Sequence, residues 1–486
     1  MTAACQLGTE RDRADWFVLL LAVMGSDWRA WGRSTGLANA GLCVGRVAGP
    51  GGDPWHAREM VAPSEDLDFR RLVSQETVGL RPLLDRGGLT VYHGIDPSAD
   101  SLHVGHLIGV LTLRRLQEAG HRPIALAGGG TGRIGDPGGK DTERPLLSLE
   151  EIAHNVSSIR LQLEGLLDFS GPPERAALLL DNAEWLASYP LVDFLREVGK
   201  HFTVNQMIAK ESVRSRIERP GQGISFTEFS YMLLQAADYL HLFDRYGCRL
   251  QIGGSDQWGN ITMGVELVRK ARQQEAHGLT WPLLTRADGS KVGKSDAGGV
   301  PWLDRRRTSP FALHQYFLRK ADDEVGPLLR YLTFLSHEEI AALDAVTAAH
   351  PEKREAQRAL AFEVVGLVHG EKEAARAEQA GRALYSEEIA SLDEELLMQL
   401  MAEAPASRLA GSELEGSGLS LDEALARTGL SPSKGAARTA IAQGGAYVNN
   451  RRRSPEDAFI TRDDLLFGRH VVLRRGKREY HLVSFE

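Results

Sequence analysis

Between about residues 80 and 295, short apolar runs alternate with longer stretches of helical periodicity, an order that few folds accommodate. The runs at 89–93, 123–127, 177–180 and 249–252 have strand length, and the stretches at 102–119, 149–167 and 227–246 read as helices. A helix between two strands must lie on a face of their sheet. The strands therefore pair in parallel, and the fold class is α/β with a Rossmann-like parallel-sheet domain. Such sheets bind ligands beyond the C-terminal ends of their strands, so the residues just after these runs are the first candidates for a site.

A chain of 486 residues has room for two or three domains. The α/β pattern predicts a domain over 60–304. From 305 to 410 it gives way to helix upon helix, rich in Ala, Leu and Glu, with no strand candidate, which predicts an all-α domain. The Gly/Ser/Glu-rich stretch 411–418 reads as a linker. The remaining 419–486 holds 12 Lys/Arg against 8 Asp/Glu, a net charge of +4 that leaves −12 on the rest of the chain. Ser420 and Glu423 suggest a capping box, Ser431 before Pro432 a second helix start, and Asn449-Asn450 a turn into Arg451, Arg452 and Arg453. With Arg474, Arg475, Lys477 and Arg478 near the end, this small basic α+β module suits an RNA backbone.

Residues 1–59 differ from the rest. They hold four of the eight tryptophans and a Gly49-Pro50-Gly51-Gly52 cluster, with neither an amphipathic helix nor a targeting code. The expectation is a disordered extension or upstream sequence read from a start codon placed too early. No apolar run approaches the ~20 residues that span a bilayer, so no membrane partner is expected. Cys5, Cys43 and Cys248 form neither a disulfide framework nor a zinc spacing, which suits a reducing cytoplasm. At 42% hydrophobic and 25% charged, the composition excludes wholesale disorder and a coiled-coil rod.

Two segments carry the chemistry. In Tyr92 to His106 a strand runs into a Gly/Pro turn, and a helix is predicted to begin near Asp100 or Ser101. His103 and His106 then share one face of its first turn, where unpaired N–H groups and the helix dipole favour phosphate. Gly105 between them lets a flat base approach the backbone. The second segment, Asp288-Gly-Ser-Lys291-Val-Gly-Lys294-Ser295, places two flexible cations three residues apart in a glycine-rich turn. A third motif, Gly130-Thr-Gly-Arg-Ile-Gly135, matches a dinucleotide fingerprint, but Asp136-Pro137-Gly138-Gly139 follows where a helix must open. Gly139-Lys140 is followed by Asp141, so it is not a Walker loop either.

His103-x-Gly-His106 followed by Lys291-x-x-Lys294-Ser295 resembles the paired signatures of class I aminoacyl-tRNA synthetases. From about residue 64 onward the chain resembles the bacterial-type tyrosyl-tRNA synthetases. The stretches that carry this include Gly135-Asp136-Pro137, Gly-Lys-His-Phe at 199–202, Gly-Ile-Ser-Phe-Thr-Glu-Phe-Ser-Tyr at 223–231 and Gln-Ile-Gly-Gly-Ser-Asp-Gln-Trp-Gly-Asn-Ile at 251–261. The resemblance implies activation of L-tyrosine by ATP, with Mg2+ on the triphosphate, and transfer of tyrosine to tRNA(Tyr) by a homodimer. A dimerisation insertion would lie within 60–304, the helical domain would take the anticodon arm, and the basic module would add backbone contacts.

Residue by residue, the resemblance implies that Tyr92 and Asp238 hold the substrate hydroxyl and that Asp136, Tyr231 and Gln235 hold its ammonium. Tyr231, Gln235 and Asp238 are spaced 4 and 3 apart, so one helical face can present all three. His103, His106, Lys291, Lys294 and Ser295 match the nucleotide and transition-state positions, Asp256 the ribose position, Lys140 and Arg144 the pyrophosphate grip, and Ser98 a hydroxyl beside the first histidine. Gly293 stands where the family usually has serine, and Gly109 where some relatives carry a polar residue. The resemblance leaves a tryptophanyl enzyme and a non-catalytic RNA-binding protein as rivals.

Overall fold

The computed structural model describes residues 61–136, 147–210, 213–214, 217–218, 223–283, 300–383, 386–402, 404–476 and 479–486. Contacts divide the described residues into two compact units, one within 61–308 with 320–368 and the other within 309–319 and 369–486.

The first unit is built on a six-stranded sheet in the order β1-β6-β5-β2-β3-β4. Its strands are β1 (Gln75–Glu76), β2 (Thr90–Ile95), β3 (Arg122–Ala127), β4 (Leu178–Asp181), β5 (Cys248–Gly254) and β6 (His277–Trp281). All neighbours pair in parallel except β1, which runs antiparallel to β6. The expected α/β core is thus present. The strands β2, β3 and β4 step outward in one direction and β5, β6 in the other. The reversal opens a crevice beyond the C-terminal ends of β2 and β5, where ligands of such sheets bind.

The helices of this unit are α1 (Pro63–Phe69), α2 (Arg81–Arg86), α3 (Val104–Glu118), α4 (Leu149–Glu164), α5 (Ala183–Leu186), α6 (Leu191–Glu197), α7 (Val204–Ile208), α8 (Phe226–Tyr246) and α9 (Trp258–Arg272). Tyr239 and Leu242 of α8 pack with Tyr92, Ile124, Cys248 and Val268 into one core. Met232, Ala236 and Ala237 join Phe194, Val198, Met263 and Leu267 in another. Ser225 caps α8 by accepting the Glu228 N–H, and Gly247, in the left-handed region, closes it. Helix α3 starts at Val104 rather than near Asp100 or Ser101. The Ser101 hydroxyl is bonded to the Leu102 carbonyl, and His103 provides the cap.

Three further helices of the predicted helical segment, α11 (Asp322–Leu332), α12 (His337–Ala349) and α13 (Glu355–His369), fall almost wholly within this unit, while α10 (Pro310–Leu318) falls in the other. There α10 packs with α14 (Glu371–Ala383) and α15 (Glu394–Leu400) around Phe311, Ala380, Leu396 and Leu397. A five-stranded sheet, β10-β9-β12-β13-β7, follows. It comprises β7 (Ala406–Leu409), β9 (Ala446–Val448), β10 (Arg451–Arg452), β12 (His470–Arg475) and β13 (Glu479–Phe485), with β8 (Leu419–Ser420) and β11 (Phe459–Ile460) pairing separately.

Strand β7 lies inside the stretch read as helical because its partner is β13, more than 70 residues on. The stretch read as a linker contains a 3-10 turn, Gly411–Leu414, that buries Leu414. Helix α16 (Leu421–Arg427) starts after Ser420, whose side chain makes no capping bond, and α17 (Lys434–Ala442) is capped by Ser433 rather than begun at Ser431. The expected turn is a two-residue hairpin with Asn449 and Asn450 both at positive φ. Lys477 and Arg478 lie outside the described residues.

Candidate functional site

Beyond the strand ends of the first unit lies a cavity of about 330 Å³. Every predicted site residue in the described part lines it: Tyr92, Ser98, His103, His106, Asp136, Tyr231, Gln235, Asp238 and Asp256. Lys140, Arg144, Lys291, Lys294 and Ser295 lie outside the described residues.

The inner end is a buried polar network around Asp238, which is 1% exposed. Its Oδ2 accepts from the Asn182 amide at 2.8 Å and its Oδ1 from the Trp185 indole N–H at 2.7 Å. Asn182 is held in turn, its Oδ1 accepting the Gly130 N–H at 2.7 Å and its Nδ2 donating to the Thr131 hydroxyl at 3.0 Å. Gly130 of the Gly130–Gly135 motif therefore serves this network, and the motif itself holds a 3-10 turn at Thr131–Arg133. Burial pushes the Asp238 carboxyl up to about 7, opposed by the two donors. The Tyr92 hydroxyl is buried with no hydrogen-bond partner among the described residues, and so is the carbonyl oxygen of Gln235. Since buried polar atoms are normally paired, these two are aimed at something a ligand can supply.

A second acidic cluster lines the same cavity. Asp96 accepts from the Tyr231 hydroxyl at 3.2 Å and the Thr131 hydroxyl at 3.2 Å, and Asp136 accepts from the Gln257 amide at 2.6 Å. Burial holds the Tyr92 and Tyr231 phenols well above their ordinary range, so both stay hydrogen-bond donors at neutral pH. Such a cluster suits a cationic group.

At the outer end the two histidines cap α3 reciprocally. The Gly105 N–H donates to Nδ1 of His103 at 3.0 Å, and the His103 N–H donates to Nδ1 of His106 at 3.1 Å. Both rings must then carry their proton on Nε2 when neutral, and they stack with centroids 3.8 Å apart. A Cβ on Gly105 would sit 2.8 Å from the His103 ring, so the glycine permits that folding back. The Val104 N–H donates to the Pro301 carbonyl, and His103 bridges to Trp302. The backbone a few residues after the lysine motif is thus tied to the histidine turn.

His93, Asp96, Asn182, Trp185 and Gln257 were not singled out in the sequence. Asn182 and Trp185 follow the apolar run at 177–180, where the strand-end rule points, but nothing local ties them to Asp238.

The family model for class I tRNA synthetases (W and Y) matches residues 85–386, and the model for the tyrosine--tRNA ligase SYY-like C-terminal domain matches 399–483. The chain belongs to the class I tRNA synthetases. It is 52% identical over 419 residues to a tyrosine--tRNA ligase of Roseiflexus castenholzii, covering 86% of this chain and 98% of the relative, and 49% identical over 422 residues to one of Opitutus terrae, covering 86% and 99%. The crystal structure of a C-terminally truncated mitochondrial tyrosyl-tRNA synthetase from Aspergillus nidulans superposes with a TM-score of 0.60 at 33% identity, over 67% of this chain and 95% of that one. Within the class, its place is among the tyrosine--tRNA ligases.

Proposed function

We propose that this cavity activates L-tyrosine with ATP and that the chain then transfers the tyrosyl group to tRNA(Tyr). The observation that carries the reading is the Tyr92 hydroxyl, without a hydrogen-bond partner among the described residues, in the same cavity as the Asp238 carboxylate. A substrate phenol satisfies both, donating its proton to Asp238 and accepting from Tyr92. The Asp96, Asp136, Tyr231 and Gln235 cluster receives the ammonium. The substrate carboxylate attacks the α-phosphorus of ATP, forming the acyl-phosphate bond and releasing pyrophosphate; the terminal ribose hydroxyl of tRNA then attacks the carbonyl carbon of that adenylate, forming the tyrosyl ester, breaking the acyl–phosphate bond and releasing AMP. The carboxylate is itself the nucleophile, so the protein contributes placement and charge stabilisation rather than a covalent intermediate.

His103 and His106 present Nε2–H donors to phosphate oxygens, Ser98 works beside them, and Asp256 takes the ribose. Lys291, Lys294 and Ser295 stabilise the transition state while Lys140 and Arg144 grip the departing pyrophosphate. Magnesium accompanies the triphosphate as part of the substrate. The helical segment 305–410 takes the anticodon arm and 419–486 the RNA backbone, in a cytoplasmic homodimer.

The test is exchange of labelled pyrophosphate into ATP without tRNA, with tyrosine, tryptophan and phenylalanine in parallel. Exchange with tyrosine alone is expected. Exchange with tryptophan would overturn the pocket reading, and none with any of the three would leave a non-catalytic RNA-binding protein.

A further inference from the structure

The indole that donates to Asp238 comes from an element with little hold of its own. Trp185 sits on α5, which is four residues long, none of them fully buried, and has no side-chain cap. The indole packs against the core that holds Tyr92 and Tyr239, and its N–H reaches Asp238 Oδ1 at 2.7 Å. His241 lies flat on the indole, with ring centroids 4.2 Å apart and planes 10° from parallel. Asp238 and His241 are three residues apart on α8 and therefore neighbours on its surface. One helix thus takes both the edge of the indole, through the carboxylate, and its face, through the imidazole. Burial and the charge of Arg245, opposed by Asp244, hold the His241 pKa below its ordinary value, so the ring stacks at neutral pH as an uncharged plane. The cavity is lined by Asp238 but by neither Trp185 nor His241.

We propose that His241 is a positioning residue for the inner end of the cavity, a clamp whose ring keeps the Trp185 N–H aimed at Asp238 and so keeps the carboxyl turned toward the substrate phenol. The inference rests on the reading of that end as the tyrosine end. His241 touches neither ligand nor reacting atoms. It acts through one hydrogen-bond donor, so its loss weakens tyrosine binding and spares ATP and the chemical step. What position 241 must supply is a flat ring, whatever its chemistry.

A double-mutant cycle in the pyrophosphate exchange reaction tests this. His241→Ala removes the ring, and KM for tyrosine should rise about five- to tenfold, the worth of an aromatic pair, with kcat and KM for ATP unchanged. His241→Phe restores a flat ring and should stay within about twofold of the wild type. Trp185→Phe keeps a ring but loses the N–H, so adding His241→Ala to it should raise KM for tyrosine less than about twofold further. An equal rise in both backgrounds, a His241→Phe variant as weak as His241→Ala, or a loss that falls on ATP as much as on tyrosine would overturn the clamp. A second readout needs no activity. With tryptophan isotopically labelled on its indole nitrogen, the N–H resonance that disappears in Trp185→Phe belongs to Trp185, and its exchange with solvent should be about fivefold faster in His241→Ala. Should the wild type show no tyrosine-dependent exchange, the reading of the cavity fails, and that resonance still decides the clamp: an unchanged rate rejects it.

Discussion

The two larger sheets gather polar side chains by opposite routes. In the parallel sheet the chain returns to the same end after every crossover, so Tyr92, Asn182 and Asp256 meet at one edge although about 160 residues separate the first from the last. The result is concave and buried. In the five-stranded sheet the hairpins β9-β10 and β12-β13 keep neighbours in sequence neighbours in space, and Arg451 and Arg452 stay exposed on a two-residue hairpin. The first arrangement can enclose a small molecule and satisfy it from all sides, whereas the second leaves its cationic side chains open to solvent.

The largest expected effect breaks the enclosed network at its centre. Asp238→Ala leaves the Asn182 amide and the Trp185 indole N–H without their acceptor and removes the partner proposed for the phenol. Losing one member of a buried charged network costs about 4 kcal/mol, so kcat/KM for tyrosine in the exchange reaction should fall about 1,000-fold. A loss below tenfold would mean that the network is not the tyrosine end.

Asn182→Ala is the next step down, at about 1–3 kcal/mol or roughly 5–150-fold, and it adds a pH signature. The Asn182 donor lowers the Asp238 pKa, so its removal should move the acid limb of kcat/KM, expected near pH 7, upward. The stability sign is the reverse of the usual carboxylate case. The folded-state value of about 7 lies above the ordinary 3.8, so Asp238 contributes fully below about pH 4 and its contribution is lost as the pH rises to 7. Ligand-free wild type should therefore lose thermal stability relative to Asp238→Asn across that interval, and a constant difference between the two would reject the shift.

For the exposed hairpin the expected effect is smaller and of another kind. Arg451→Ala with Arg452→Ala should leave tyrosine-dependent exchange unchanged. The log–log salt dependence of KM for tRNA should flatten by roughly one to two. Impaired exchange would erase the contrast between the two sheets.

The same contrast governs what the sequence discloses. The runs at 89–93, 123–127, 177–180 and 249–252 lie within one to two residues of β2 to β5, because buried parallel strands are apolar almost throughout. The stripe Tyr231, Gln235, Asp238 is readable as one helical face. Strand β6, with His277 and Thr280 among its five residues, lacks such a signal, and β7 exists only through pairing with a strand far along the chain. Asn182 and Trp185 were hidden for the same reason, since their partner Asp238 lies 56 and 53 residues away. Spacing on one element is local information, but the partners that hold a buried carboxylate arrive by crossover.

The smallest predicted effect asks whether the enclosed network depends on where its helix begins. Ser225→Ala removes the side-chain acceptor of the Glu228 N–H at the start of α8, which should cost about 1 kcal/mol of stability. The functional face starts at Tyr231, about one and a half turns further on, and Asp238 lies near the middle of the 21-residue helix. Met232, Ala236 and Ala237 anchor that part in a core shared with Met263 and Leu267, so fraying of the first turn should stop before it reaches the cavity. The thermal midpoint should drop while kcat/KM for tyrosine stays within about twofold. A tenfold loss of activity would show instead that the start of α8 sets the position of Asp238, and that the crossover network is held by the helix end rather than by the core beneath it.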